Sequence, residues 1–199
     1  MTRCMAIRPD IASREPGGSR AIDRLFFAVF PDGDTAARIV HLASSLRDRL
    51  GLKGKPIRAE RLHATLHFLG NYAGLPPDLV TSAIAAARRV EYPAFDVAFD
   101  RVGSFPGRRN RPLVLRDIAE VTAFGELEQA LVGQLELAGI ARVEDRPFTP
   151  HLTMLYDEKT IASRSVEQIG WRVREFVLVH SLVDRGDYRI LGRRELKDS

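Results

Sequence analysis

The chain predicts an α+β fold of two pseudo-equivalent lobes, each an antiparallel sheet backed by helices, and three observations carry that expectation. Apolar runs of strand length alternate with stripes at helical spacing. The same strand–helix–strand layout recurs at an offset of 88 residues, which reads as an internal duplication. The connections are too short, and the strands too many, for a doubly wound parallel sheet.

The first 23 residues hold basic side chains but no continuous apolar stretch, so they read as a disordered arm rather than a secretory signal. Cys4, the only cysteine, lies in that arm, which excludes an intramolecular disulfide and a cysteine-based zinc site. Residues 24–198 are expected to form one bilobal domain. Leu25-Phe-Phe-Ala-Val-Phe-Pro-Asp32 reads as a buried strand ended by a turn. Asp32 or Asp34 then caps a helix with Ile39, Leu42, Ala43, Leu46 and Leu50 along its apolar side and Gly51 at its end.

After an advance of 88 residues the layout returns. Leu113-Val-Leu115 is a strand, Glu120 opens a helix striped by Phe124, Leu127, Leu131 and Leu135, and Gly139 ends it. Pro76 to Val90 reads as a second helix of the first half, and about Thr160 to Gln168 as its shorter counterpart. Phe95–Phe99, Val173–Val179 and Tyr188–Leu196 complete the strands. Pro106–Pro112 is a basic, turn-rich loop joining the halves.

With 45% hydrophobic residues, the chain can bury a real core. No run approaches the ~18 apolar residues of a membrane span, and a cytoplasmic, cofactor-free monomer is expected. The net charge is +4, and only four of the 30 basic residues are lysine. Such a balance suits a polyanionic ligand, although an excess of arginine over lysine often follows genome composition.

Two tetrapeptides carry the chemistry: His63-Ala-Thr65-Leu66 and His151-Leu-Thr153-Met154, again 88 residues apart. On a strand, positions i and i+2 share a face, so each copy presents an imidazole and a hydroxyl ~6–7 Å apart. Alternation sets His63, Thr65 and His67 against Leu62, Leu66 and Phe68. It also sets His151, Thr153 and Leu155 against Leu152, Met154 and Tyr156. One His-x-Thr on a strand is most often a half-buried edge residue; two copies in register with a repeat are not.

Displacement at phosphorus needs a proton acceptor and a proton donor on opposite sides, and imidazole suits both tasks near neutrality. Threonine hydroxyls can donate to non-bridging oxygens as charge builds. Arg108, Arg109 and Arg111 would hold the phosphate or flanking nucleotides. A zinc pair of His63 and His67 would need a helix, and on a strand the two rings lie ~13 Å apart, so no metal is expected. His41 and His180 read as solvent-facing or packing residues.

With LHATLHFLG, PHLTMLYD, SFPGRRNRPLVLR and REFVLVHSLV with the later Tyr188, the chain resembles the 2H phosphoesterase superfamily from about Arg24 to Leu196. Specifically, it resembles the bacterial and archaeal RNA 2′,3′-cyclic phosphodiesterases long called 2′-5′ RNA ligases. The resemblance implies two sheets forming a V-shaped cleft, with helices outside. It implies metal-independent opening of an RNA 2′,3′-cyclic phosphate to a 2′-phosphomonoester, with some members also joining or cleaving 2′-5′ linkages. His63 would be the general acid, His151 the general base, and Thr65 and Thr153 phosphate ligands. Many members carry an Arg where this chain has Tyr156. Tyr156 would stack on a base, or an arginine of the 108–111 loop would supply the charge, although simple alternation turns Tyr156 away from His151. The competing readings are a relative acting on another cyclic or 2′-5′-linked nucleotide, and a nonhydrolytic RNA-binding module.

Overall fold

A computed structural model describes residues 22–106, 109–116, 122–143, 148–182 and 186–198. Residues 1–21 of the proposed 23-residue arm, Arg108 and Glu120 lie outside the described residues, while Asp23, the last residue given to that arm, is buried at the start of the first strand. In chain order the elements are β1 (Asp23–Val29), α1 (Gly33–Leu50), a short 3₁₀ turn (Ala59–Arg61), β2 (Ala64–Tyr72), α2 (Pro77–Arg88) and β3 (Phe95–Ser104). Then come β4 (Arg111–Arg116), α3 (Thr122–Leu137), β5 (Leu152–Asp157), β6 (Arg164–Val173), β7 (Glu175–Leu182) and β8 (Asp187–Glu195).

Local chemistry accounts for the helices. The Asp32 carboxylate accepts the Thr35 N–H at 2.8 Å, an N-cap worth about 1 kcal/mol. That bond also holds the Asp32 carboxyl below the usual carboxylate range. At the other end Gly51 adopts φ 59°, and Gly139 closes α3 with φ 77°. Both are left-handed positions that favour glycine. The α3 stripe of Phe124, Leu127, Leu131 and Leu135 is buried, as are Ile39, Ala43 and Leu46 of α1.

Among the described residues, all eight strands belong to one antiparallel sheet, ordered β6-β3-β4-β5-β2-β1-β7-β8. The two antiparallel sheets expected from the sequence are its two four-stranded halves, which join through a single register pair, Ala64 with Leu152. The halves match element for element about that junction, β2-β1-β7-β8 against β5-β4-β3-β6. Chain order does not separate them, because the first half combines strands from both ends of the described chain.

Two element assignments also change. The segment expected to hold a short helix near 160–168 leads into β6, which pairs with β3 from Phe95–Val173 to Val102–Arg164. Ile169, Trp171 and Val173 all enter the core from that strand, a two-residue period that no helix gives. The single strand read at Val173–Val179 is two, parted at Arg174, because β6 pairs with β3 whereas β7 pairs with β1.

The main core lies between one face of the sheet and the three helices. Packing there is crossed. α1, which follows β1 of the first half, packs on β5 and β6 of the second, while α3, which follows β4, packs on β2. This crossing binds the halves more firmly than the lone backbone pair between β2 and β5. The opposite face is left for chemistry.

Candidate active site

Ala64 and Leu152 face the helix-side core, so their neighbours His63, Thr65, His151 and Thr153 face the other way. The antiparallel register of that pair sets His63 opposite Thr153 and His151 opposite Thr65. Each imidazole thus stands across from the other motif's hydroxyl. The two histidines form a diagonal, which in a regular antiparallel pair sets neighbours about 7–8 Å apart. Their rings are close enough that the His151 charge acts on His63.

Both rings are held in the same way. His63 Nδ1 donates to the Arg61 carbonyl at 2.7 Å, and His151 Nδ1 donates to the Thr149 carbonyl at 2.8 Å. A carbonyl only accepts, so Nδ1 carries the hydrogen and Nε2 is left to take or give a proton. Aromatic side chains wall the His63 ring: Phe26, Phe30 and Tyr188 have centroids 5.0, 5.7 and 5.4 Å away. Phe105 packs edge-on against His151 at 4.7 Å. Burial pulls His63 down to about 4, with the charges of His151 and Arg61 adding to the effect and the Arg61 carbonyl bond opposing it. Burial lowers His151 as well, against its bond to Thr149.

Two β-bulges change what faces the site. Along β1, Ala28 pairs with Thr65 and Phe27 with His67, which leaves Leu66 unpaired and core-facing. In the second half Val114 pairs with Thr153 and Leu113 with Leu155, leaving Met154 in the same position. An extra residue reverses the alternation beyond it. His67 therefore turns away from the site into the core side, where its Nδ1 lies 3.6 Å from Glu128 of α3. Leu155 joins the core, and Phe68 and Tyr156 come round to the face of the histidines. The expected sharing of a face by His63, Thr65 and His67 is corrected accordingly, and so is the turning away of Tyr156. Each half presents His-x-Thr-x-x-aromatic, and Tyr156 is 44% exposed.

Arg109 is exposed on the turn beside Asn110, Arg111 donates to the Glu158 carbonyl, and Arg108 is outside the described residues. Arg61 also stands at the site, beside the Tyr188 ring that packs on His63. Its guanidinium lies 4.7 Å from the centroid of Tyr188, and its Nε is buried with no hydrogen-bond partner among the described residues. No sequence signal marks it, since Arg61 is one more arginine in a loop of charged residues. Phe26 and Phe30 were equally hidden, because β1 is apolar on both faces. His180 is buried against Asp23 across β1 and β7, and His41 is exposed on α1. Among the described residues, no three His, Cys, Asp or Glu side chains converge as a metal site would require.

The sheet thus carries helices on one face and two matched His-x-Thr pairs on the other. A model of the 2′-5′ RNA ligase superfamily matches residues 31–185, and the chain belongs to that superfamily. It is 29% identical over 168 residues to the RNA 2′,3′-cyclic phosphodiesterase of Escherichia coli (strain K12), covering 83% of this chain and 91% of that protein. A protein of the same name from Archaeoglobus fulgidus is 27% identical over 131 residues, 66% of this chain and 70% of the relative. The fold is similar to the crystal structure of E. coli LigT complexed with 3′-AMP, with a TM-score of 0.73, 26% identity and coverage of 88% and 98%. No helix among the described residues is long and apolar enough to cross a membrane.

Proposed function

We propose that this protein is a metal-independent RNA 2′,3′-cyclic phosphodiesterase that opens a terminal cyclic phosphate to a 2′-phosphomonoester. The observation that carries the proposal is the matched pair of imidazoles. Both have Nδ1–H bound to the carbonyl two residues earlier, so in both Nε2 is the nitrogen left to exchange a proton, and both residues stand on the face that holds the two threonines.

In this reading neutral His151 takes a proton from water as its oxygen attacks phosphorus. Protonated His63 gives a proton to the departing 3′-oxygen as the P–O3′ bond breaks. Thr65 and Thr153 donate to the non-bridging oxygens, where charge accumulates. Arg61 supplies positive charge beside His63, and Tyr156, turned to the site by the Met154 bulge, stacks on a base. Arg108, Arg109 and Arg111 meet the flanking nucleotides. The same chemistry, with a ribose hydroxyl in place of water, would make or break a 2′-5′ linkage. The enzyme would act as a cytoplasmic monomer without a cofactor.

Product analysis on a short RNA with a 2′,3′-cyclic end tests the proposal. A 2′-phosphate is expected, at a rate unchanged by EDTA. A 3′-phosphate would reverse the assigned leaving group. Loss of activity to the chelator, restored by zinc or manganese, would overturn the metal-free mechanism.

A further inference from the structure

On the second half of the sheet, two arginines stand directly opposite each other: Arg101 of β3 and Arg116 of β4 are register partners. Their neighbours Val102 and Leu115 are paired and face the helix-side core, so both guanidinium groups lie on the other face. That is the face of His151, since Val114 on β4 pairs with Thr153. Arg116 reaches back along it, its guanidinium carbon 5.9 Å from the centroid of Phe105, the ring that packs on His151.

Like charges directly opposite on a sheet repel. Among the described residues no carboxylate forms an ion pair with either arginine. The Arg101 Nε is also buried without a hydrogen-bond partner. An anion placed between the two would relieve the repulsion and give that donor an acceptor. Paired guanidinium forks match the tetrahedral oxygens of phosphate. An RNA bearing a 2′,3′-cyclic phosphate has no nucleotide beyond that end, so every other phosphate lies on its 5′ side.

We propose that Arg101 and Arg116 form a second anion site, which holds a backbone phosphate of single-stranded RNA on the 5′ side of the cyclic end. The inference rests on the cyclic phosphodiesterase reading for the position of the terminal phosphate. It makes the enzyme's preferred substrate an oligonucleotide rather than a nucleoside cyclic phosphate.

The test compares wild type with R101Q, R116Q and R101Q/R116Q on two substrates. One is a nucleoside 2′,3′-cyclic phosphate, which has no second phosphate; the other is a short RNA with a cyclic end. In the double variant, the ratio of kcat/KM for the RNA to that for the nucleoside should fall by ~10-fold or more. The salt dependence of RNA binding should flatten by ~0.7 in the log–log slope for each phosphate that the variant no longer neutralises. Melting temperature should hold or rise, because a like-charge pair is removed; if a glutamine variant fails to fold, R101K and R116K carry the comparison. An unchanged substrate ratio overturns the second site. Should wild type open neither substrate, the phosphodiesterase reading fails on its own account. Anisotropy titration of a labelled RNA ending in a 3′-phosphate then decides the site: weaker binding by the double variant supports it, and equal binding overturns it.

Discussion

His63 and His151 pack against aromatic side chains, and burial governs their protonation. Burial favours the neutral ring in both, with His63 brought down to about 4. The general base is therefore ready in the free protein, while the acid acquires its proton beside an arriving phosphate anion, which favours imidazolium. A bell-shaped kcat/KM profile should peak below pH 6.5 and decline toward pH 8, because both free-protein values lie below the ordinary histidine value. The kcat profile should peak at higher pH, since bound phosphate raises the ring values. A flat pH–rate curve from 5 to 9 would dispose of two titrating imidazoles. His63→Ala and His151→Ala should each reduce turnover by ~10²–10⁴ with near-normal circular dichroism. Wild-type activity in either variant would break the acid–base pairing. These residues were legible because an imidazole two positions from a hydroxyl, repeated in register, is rare by chance. Arg61 and Phe105 were not, since an arginine in a charged loop or a phenylalanine at a strand end carries no mark of what folds against it.

At the scale of elements, the bulges and the strand ends set the site's geometry. Leu66 and Met154 each lie in an apolar run where any residue could face the core, so residue type does not reveal which position is unpaired. The partner strand decides it. β5 is further anchored by Asp157 at its end. Its carboxylate accepts the backbone N–H groups of Lys53, Gly54 and Lys159 at 2.6, 2.8 and 2.9 Å, tying the loop after α1 to the strand that follows His151. Gly54 is required in that loop, because a Cβ there would stand 2.0 Å from the Tyr156 carbonyl oxygen. Asp157→Ala would leave three donors without their acceptor and should cost about 2–4 kcal/mol, read by urea denaturation. A loss below ~0.5 kcal/mol would mean that water replaces the carboxylate. The Lys159 N–H bond leads the effects that hold the Asp157 carboxyl below its ordinary value. Its stabilising contribution is therefore present above pH 3.8 and lost as pH falls further.

Across the whole molecule, the crossed helices make one structure of two similar halves. Because α1 covers strands of the second half and α3 covers β2 of the first, neither half keeps its core if the other unfolds. One cooperative transition is expected, with Trp171 fluorescence on β6 and far-ultraviolet dichroism melting together. Separated midpoints would show independent halves. The transition should also depend on pH in a definite direction. His63 and His67 are lowered by burial to about 4, and His151 is lowered too. Between about pH 6.5 and 4 the unfolded chain binds more protons, so stability falls as pH is reduced through that window. In His67→Gln, which removes one of these groups from the β2–α3 contact, the fall should be shallower.

The amino-acid sequence by itself determined the repeat, three of the four expected helices, the Asp32 cap and the Gly51 and Gly139 helix ends, the mixed class of the fold and the two His-x-Thr pairs. Each is written in local spacing, because side-chain period and backbone propensity act over a few residues. Tertiary structure alone decided that the strands join as one sheet, that residues 164–173 extend beside β3, and that helices cross between halves. It also decided that two bulges carry His67 away from the site and bring Phe68 and Tyr156 to it. Those outcomes depend on which backbone donors find which acceptors far along the chain, and local periodicity does not encode that choice.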